Sequence, residues 1–325
     1  MIPIMSNATL LEVSDVTVEY VTQGQRFAAI SDVTLDIAEG ETLGLVGESG
    51  CGKSTTGRAI IQLPTPTAGQ VKFEGQELTG LTHNDMRPIR QRLQIIFQDP
   101  VSSLNPRRRV KDIVAEPLII DGLKNTAEID RKVREVLIAV GMDPDITMDR
   151  RPHQFSGGQC QRICIARALI MEPKLIVCDE PVSALDVSVQ AQILNLLEDM
   201  KARYGLTLLF ISHDLAVVKN ISDRVAVMYL GKFCELADSE RIYQAPAHPY
   251  TAGLMATIPE IGDKAIDNVQ ALAGEIPSPL NPPSGCRFRT RCPCAQEKCV
   301  ADEPAFRDIE PGHQVACHFP LLASK

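Results

Sequence analysis

One segment of the chain has the residue types and spacing of a phosphate-binding loop. It comprises Gly47, Glu48, Ser49, Gly50, Cys51, Gly52, Lys53 and Ser54, which fit the pattern Gly-x-x-x-x-Gly-Lys-Ser and are followed by Thr55. Its glycines allow backbone dihedrals that turn successive N–H groups inward around a polyphosphate. Lys53 supplies a point charge for the β- and γ-phosphates, and the Ser54 hydroxyl is the expected Mg²⁺ ligand. A glycine-rich turn with a surface lysine is the weaker alternative, because every fixed position of the pattern is matched.

The elements predicted on either side of this segment suit phosphate binding. The apolar run Thr42–Val46 predicts a strand before the loop, and a helix is predicted to begin near Lys53. The N-terminus of that helix would add partial positive charge next to the phosphates. The sequence therefore predicts a site for ATP with Mg²⁺.

Two adjacent carboxylates, Asp179 and Glu180, follow a second apolar run. Residues 175–178 predict a strand covered on both faces, and ligands collect at the carboxyl ends of such strands. Neighbouring strand residues point to opposite faces, so Asp179 can hold the Mg²⁺ shell while Glu180 reaches an attacking water. The alternative is an exposed acidic pair that opens a turn before Pro181.

Two further segments resemble motifs of the ABC-type ATPases. The run Ser156, Gly157, Gly158 and Gln159 resembles their signature motif, and the run Ser183, Ala184, Leu185 and Asp186 resembles their D-loop. The resemblance covers roughly residues 8–258. It implies that the signature residues of one subunit contact the γ-phosphate held by the phosphate loop of another. Cys160 departs from the basic residue expected after the signature glutamine.

The same resemblance assigns roles to single residues. Gln98 would be the Q-loop residue, which joins Ser54 and Asp179 around Mg²⁺. His213, which follows the strand predicted over residues 207–211, would contact the γ-phosphate. The resemblance thus implies a catalytic set of Glu180, His213 and Gln98.

Adenine recognition is assigned by the resemblance to an aromatic ring ahead of the phosphate loop. Tyr20 is the expected stacking residue, and Phe27 in the same region is the alternative. Stacking requires only a correctly aimed aromatic face, so either ring is chemically suitable.

The fold class that the resemblance implies is α/β. It consists of a RecA-like parallel-sheet core, an N-terminal antiparallel β subdomain and an inserted helical subdomain. The ATPase domain would span residues 8–258, with the helical insertion at about 99–172, and a small cysteine-rich extension would occupy 259–325. Since the chain has one phosphate loop and one signature, ATP must be sandwiched between two ATPase subunits, either two copies or a homologous pair.

Local patterns predict several elements of this fold. Strands are expected over 10–21, 33–37 and 225–229, and helices over 127–140 and 187–203, the second ending at Gly205. In residues 127–140 the apolar side chains recur at helical spacing, which favours a mainly helical insertion.

Composition and charge restrict the class of protein. The chain has 325 residues, of which 44% are hydrophobic and 23% charged, as in ordinary globular proteins. No apolar run reaches the roughly 18 residues of a membrane span, and the first residues lack the pattern of a signal peptide. The net charge of −8 argues against broad nucleic-acid binding, which normally leaves a basic footprint.

The distance from the phosphate loop to the signature favours transport over other roles of ABC-type ATPases. Relatives in chromosome maintenance and DNA repair interpose a long coiled coil with heptads that this chain lacks. Relatives in translation usually carry two ATPase halves. In importers, residues 101–110 would form the docking site for a helix of the membrane subunit. For Arg107, Arg108 and Arg109, which lie in this segment, a solvent-exposed basic face is an equally good interpretation.

Five of the ten cysteines lie near the C-terminus, beyond a proline-rich segment at 277–283. They are Cys286, Cys292, Cys294, Cys299 and Cys317. Disulfides are improbable without an export signal, and a zinc ribbon would usually show paired Cys-x-x-Cys knuckles. The irregular spacing instead suits a cluster held by four thiolates from an extended loop. The other five cysteines are interpreted as buried or half-buried small residues.

The segment from Gly274 to Pro293 carries a narrower resemblance, to the C-terminal extension of ATPases that serve oligopeptide and dipeptide importers. That resemblance implies a [4Fe–4S] cluster. Its implied ligands are Cys286, Cys292, Cys299 and Cys317, and Cys294 is not assigned as a ligand.

Together the two resemblances imply the ATP-hydrolysing subunit of an oligopeptide or dipeptide importer. Its expected partners are a second ATPase subunit, two transmembrane permease subunits and an extracytoplasmic peptide-binding protein, with no nucleic acid. Its expected place is peripheral, on the cytoplasmic face of the inner or plasma membrane. The alternatives are a soluble ABC-type ATPase in translation or DNA repair, and an importer of nickel or another small solute.

Overall fold

A computed structural model describes residues 8–22, 24–258 and 274–321. Its strands are β1 (Thr9–Thr22), β2 (Gln25–Ala38), β3 (Thr42–Val46), β4 (Ala68–Phe73), β5 (Gln76–Glu77), β6 (Leu93–Ile96), β7 (Leu175–Asp179), β8 (Thr207–Ile211), β9 (Arg224–Tyr229), β10 (Lys232–Asp238), β11 (Arg307–Glu310) and β12 (His313–Val315). Its α-helices are α1 (Lys53–Ile60), α2 (His83–Arg92), α3 (Val110–Asp121), α4 (Thr126–Ala139), α5 (Pro144–Thr147), α6 (Gly157–Leu169), α7 (Val187–Tyr204), α8 (Leu215–Ile221), α9 (Ser239–Gln244), α10 (Pro249–Met255) and α11 (Glu297–Ala301). No helix in these ranges is long and apolar enough to cross a membrane.

The described residues form two compact units, and the chain passes between them more than once. The first unit contains residues 39–41 and 81–209. The second contains 8–38, 42–80 and the described residues from 210 onwards. Each unit therefore combines segments that are far apart in the sequence.

An antiparallel sheet in the second unit is built from the N-terminal region. Its strand order is β2-β1-β4-β5. Buried and exposed side chains alternate along much of β1 and β2, so one face of the sheet is covered and the other is polar. This confirms the predicted N-terminal antiparallel region.

Strands of a second sheet that lie in the same unit position the phosphate loop. Strand β3 pairs in parallel with β9, and β10 continues the sheet antiparallel to β9. All five residues of β3 are buried, as expected for a strand covered on both faces. Strand β12 pairs antiparallel with β10, and β11 pairs with β12, so residues from the C-terminal region complete this sheet.

The first unit contains strands β6 and β7 and most of the described helices. Strand β6 pairs in parallel with β7. Helices α3 and α4 pack against each other and against α6. Side chains cap several of these helices: Asn125 accepts N–H hydrogen bonds at the start of α4, and Asp143 does so at α5.

The structure confirms most predicted elements and extends some of them. The strands at 42–46 and 207–211 have the predicted bounds, and the second predicted helix runs over Val187–Tyr204 with Gly205 in the left-handed conformation after it. Strand β2 begins at Gln25, well before the predicted 33. Its early part pairs with the end of β1, and its sequence lacks the clear alternation on which the prediction rested.

Candidate nucleotide-binding residues

The predicted phosphate loop connects β3 to α1 in the second unit. Lys53, the first residue of α1, is almost fully buried. Its ammonium donates hydrogen bonds to the carbonyl oxygens of Gly47 at 2.8 Å and Glu48 at 3.0 Å. The positive charge is therefore held inside the curve of the loop, where a phosphate would be attracted to it.

Gly47 occupies a position that no other residue fits. Its φ is +152°, and a Cβ atom placed there would lie 2.2 Å from the carbonyl oxygen of Met228. A contact that short would force the backbone of β9 or the loop to move, so glycine is required for the close approach of the two segments.

Two residues distant in sequence hold Glu48, the second residue of the loop. The guanidinium of Arg291 donates to both Glu48 carboxylate oxygens, at 2.7 and 3.0 Å. The backbone N–H of Glu48 donates to the Tyr250 hydroxyl at 3.0 Å. Neither Arg291 nor Tyr250 was predicted from the sequence to contact the loop, because nothing local links either residue to it.

Among the other predicted contacts of the second unit, His213 and Tyr20 are exposed and Phe27 is half-buried. His213 is exposed and directly precedes Asp214, whose side chain caps α8. Tyr20 and Phe27 are directly opposite each other in the β1–β2 pair, with ring centroids 6.2 Å apart. The two candidate stacking residues therefore form one aromatic surface.

The predicted catalytic carboxylate lies beside the Q-loop residue in the first unit. The Gln98 side-chain amide donates to the Glu180 carboxylate at 3.0 Å. Asp179 is fully buried at the end of β7, and Glu180 follows it with φ of +48°. Burial, followed by the nearby Asp179 carboxylate, raises the pKa of the adjacent Cys178 thiol to about 12. This cysteine is therefore a neutral packing residue.

The predicted D-loop is a hydrogen-bonded turn between Glu180 and α7. The Ser183 hydroxyl donates to the Glu180 carbonyl oxygen at 3.1 Å. The Gln190 side chain donates to the carbonyl oxygens of Val182 and Leu185, at 3.1 and 3.0 Å. Gln190 was not predicted from the sequence, although it fixes the path of the turn.

The predicted signature residues form the beginning of α6. Ser156 and Gln159 make a capping box, in which the Gln159 N–H donates to the Ser156 hydroxyl and the Ser156 N–H donates to the Gln159 side chain. Ser156 and Gln159 are exposed, whereas Cys160 is buried with its thiol 3.5 Å from the Pro152 carbonyl oxygen. The unexpected cysteine is therefore a packing residue and does not alter the charge of the exposed end.

The five C-terminal cysteines line one pocket in the second unit. The pocket is narrow and partly open to solvent, and Phe288 and His318 also line it. Cys299 is buried, Cys294 is exposed, and the other three are half-buried. Burial raises the pKa of Cys292 to about 12 and that of Cys317 to about 11. Within residues 8–22, 24–258 and 274–321, no group of three or more His, Cys, Asp or Glu side chains is arranged to hold a metal ion.

Comparison with protein-family models finds two matches. Residues 30–183 match the ABC transporter model, and residues 234–299 match the model of the oligopeptide/dipeptide transporter C-terminal region. The first match contains the phosphate loop, Gln98, the signature and the Asp179–Glu180 pair. The second match contains four of the five clustered cysteines, and it ends at Cys299.

Similar proteins over nearly the whole chain carry transport names. The oligopeptide transport ATP-binding protein OppF of Escherichia coli K12 is 50% identical over 325 aligned residues, which cover 95% of each chain. OppF of Salmonella typhimurium LT2 gives the same identity and coverage.

Solved structures with the same fold are ATP-binding cassettes. The cassette MJ0796, in a dimeric post-hydrolysis state bound to ADP and Pi, matches with a TM-score of 0.65 and 29% identity. The match covers 71% of this chain and 99% of the cassette. CbiO1 of Clostridium perfringens, part of the transporter complex cbiONQ, matches with a TM-score of 0.65, 26% identity and coverage of 73% and 91%. The chain therefore has the predicted α/β fold of an ATP-binding cassette and belongs to the ABC transporter family, among the ATP-binding subunits of the oligopeptide/dipeptide group.

Proposed function

We propose that this chain hydrolyses ATP to power the import of oligopeptides or dipeptides through a membrane transporter. The observation that carries the proposal is the 50% identity to OppF over 95% of both chains, together with the matched peptide-transporter C-terminal region. In such a transporter the chain pairs with a second ATPase subunit and binds two permease subunits on the cytoplasmic face of the membrane. An extracytoplasmic binding protein delivers the peptide.

ATP binding is assigned to residues 47–55, with the adenine on the aromatic surface of Tyr20 and Phe27. Lys53 and the loop amides bind the β- and γ-phosphates, and the burial of Lys53 within the loop supports this role. Ser54, Gln98 and Asp179 surround Mg²⁺, whose preference for oxygen ligands they satisfy.

Hydrolysis is assigned to Glu180, which polarises the attacking water. The hydrogen bond from Gln98 to its carboxylate supports the assignment, because it orients the carboxylate beside a proposed Mg²⁺ ligand. His213 supports the γ-phosphate. Ser156, Gly157, Gly158 and Gln159 of the partner subunit close the site, and the exposed end of α6 is accessible for that contact.

The Glu180→Gln variant tests the hydrolytic role. It should bind ATP as tightly as the wild type and lose most of its turnover, because the amide no longer attracts a proton from water. Equilibrium ATP binding and phosphate release are measured on the purified transporter complex. Turnover close to that of the wild type would refute the role of Glu180.

Isolation of the intact complex tests the transport function. We expect permease subunits to co-purify with the chain, and ATP hydrolysis in proteoliposomes to rise when peptide and its binding protein are added. Co-purification with ribosomes or DNA would instead support a soluble ATPase of translation or repair. Stimulation by a nickel complex and not by peptides would change the proposed cargo.

The cysteine pocket is the proposed site of a [4Fe–4S] cluster, with Cys286, Cys292, Cys299 and Cys317 as ligands. Four soft sulfur donors from one extended segment suit such a cluster, and all four cysteines line one pocket. The exposure of Cys294 supports its exclusion from the ligands. The cluster, when bound, would cross-link the segment through iron–sulfur bonds. Iron and sulfide analysis after anaerobic purification tests this, and stoichiometric zinc without sulfide would contradict it.

The proposed domain boundaries follow the motifs. The ATPase domain is assigned to 8–258, with its helical insertion at about 99–172, and the extension to 259–325. Helices α3, α4 and α5 lie within the assigned insertion, which supports its helical character. The proline-rich residues 277–283 contain neither a helix nor a strand.

A further inference from the structure

The cysteine-rich segment, residues 286–317, contacts the phosphate loop through an unusually well-buried ion pair. The Arg291 side chain is 4% exposed and that of Glu48 is 23% exposed. Both terminal nitrogens of the guanidinium donate hydrogen bonds, one to each carboxylate oxygen, at 2.7 and 3.0 Å. Exposed ion pairs contribute little to stability, but a bidentate pair shielded from water fixes the geometry of both partners.

The environment of Arg291 holds its guanidinium in place. The guanidinium lies 5.8 Å from the centre of the Tyr229 ring, and this ring packs edge-on against Phe288 at 5.2 Å. Phe288 is a fully buried residue of the cysteine-rich segment itself. Arg291 therefore projects from a segment that is packed on the aromatic core of the second unit.

Glu48 is also linked to the cysteine-rich segment through Tyr250. Phe288 packs against the ring of Tyr250 at 5.3 Å, and the Tyr250 hydroxyl accepts the backbone N–H of Glu48 at 3.0 Å. The carboxylate and the backbone of Glu48 are thus both held by groups that belong to, or pack on, the cysteine-rich segment.

Fixing Glu48 matters for the loop because its own carbonyl oxygen, and that of Gly47, accept hydrogen bonds from the Lys53 ammonium. Rotation of the Glu48 peptide would move the lysine charge and turn the loop N–H groups away from their common centre. Glu48 occupies a position that the loop pattern leaves open, so phosphate binding alone does not explain an acidic residue there.

We propose that Arg291 is a positioning residue for ATP binding, which acts through Glu48 and makes the shape of the phosphate loop depend on the folded cysteine-rich segment. The proposal rests on the assignment of residues 47–55 as the ATP phosphate site. It does not require that the cysteines hold a cluster. Its consequence is that damage to the cysteine-rich segment weakens nucleotide binding without touching a residue that contacts ATP.

A double-mutant cycle on the full chain tests the proposal. Arg291→Gln should weaken the binding of a fluorescent ATP analogue about tenfold, and raise the KM for ATP more than it lowers kcat, because the loop is less often in its binding shape. In a Glu48→Gln background the same replacement should have less than a twofold effect. Arg291→Lys should give an affinity for the ATP analogue between those of the wild type and Arg291→Gln, since lysine keeps the charge and loses the bidentate hydrogen bonding.

The control is the more exposed Arg241–Glu310 pair, which also joins the C-terminal region to the rest of the second unit, at 2.9 Å. Arg241→Gln should leave ATP affinity unchanged. An Arg291→Gln effect that persists in the Glu48→Gln background, or no effect at all, would overturn the proposal. Normal ATP binding by Lys53→Ala would instead overturn the loop assignment on which it rests.

Discussion

Replacement of Gly158 by alanine should destabilise the first unit, whereas the same replacement at Gly157 should not. A Cβ atom on Gly158 would lie 2.4 Å from Cγ1 of Val189 in α7, and one on Gly157 would lie 3.4 Å from Cδ2 of Leu185. Carbon atoms in contact prefer about 3.5–4.0 Å, so the first contact requires a movement of about 1 Å or more. The second needs almost none.

The magnitude follows from two opposing effects. Valine in a helix has one strongly preferred rotamer, so Val189 cannot simply rotate away, and overpacking of this kind costs about 1–3 kcal/mol. Alanine gains about 0.5–1 kcal/mol over glycine inside a helix, and less near the first turn, where both glycines lie. We therefore expect Gly158→Ala to lower the free energy of unfolding by about 1–2 kcal/mol. Gly157→Ala should change it by less than about 0.5 kcal/mol.

Urea unfolding followed by circular dichroism measures the difference, and stability is the appropriate readout because both glycines lie in the signature. Val189→Ala removes the obstructing methyl group and supplies the control. The double variant Gly158→Ala with Val189→Ala should be less destabilised than the sum of the two single variants by about 1 kcal/mol or more. Equal stability of the two alanine variants, or strict additivity with Val189→Ala, would refute the steric reasoning.

Three further predictions concern the nucleotide and cysteine sites. Gly47→Ala should abolish binding of a fluorescent ATP analogue, because its Cβ would lie 2.2 Å from the Met228 carbonyl oxygen; normal affinity would contradict the tight packing. Gln190→Leu removes two hydrogen bonds that hold the D-loop turn, and should lower ATP turnover severalfold at unchanged ATP affinity, measured by phosphate release. Cys299→Ser should lose iron and sulfide after anaerobic purification, while exposed Cys294→Ser should retain both; equal iron contents would contradict the ligand assignment.

Local patterns were sufficient for the elements that flank the nucleotide motifs. Strand β3 and strand β8 are short apolar runs buried along their whole length, and their bounds follow from composition alone. The end of α7 follows from Gly205, whose left-handed φ of +63° suits glycine. The family resemblance supplied the fold class, because it relates several motifs that no single pattern connects.

Contacts across long sequence distances could not be predicted in this way. Arg291 and Glu48 are 243 residues apart, and neither has a neighbour whose type or spacing points to the other. Strand β12 has only three residues, too few for an alternating pattern. Its pairing with β10 depends on tertiary packing, which overrides weak local preference in short strands.

The addition of β12 to β10 has a consequence for how the sheet ends. Without β12, β10 would present unpaired backbone N–H and C=O groups, and exposed strand edges recruit other chains into aggregates. The buried Glu235 carboxylate on β10 would also lose His313, which lies 2.7 Å away. Strand β11, the last in the order, is instead short and rich in charge, with the sequence Arg307, Asp308, Ile309 and Glu310. Such a strand discourages further pairing. A shortened protein that stops at 258 would lack β11 and β12, and the exposed edge of β10 could then pair with strands of other chains.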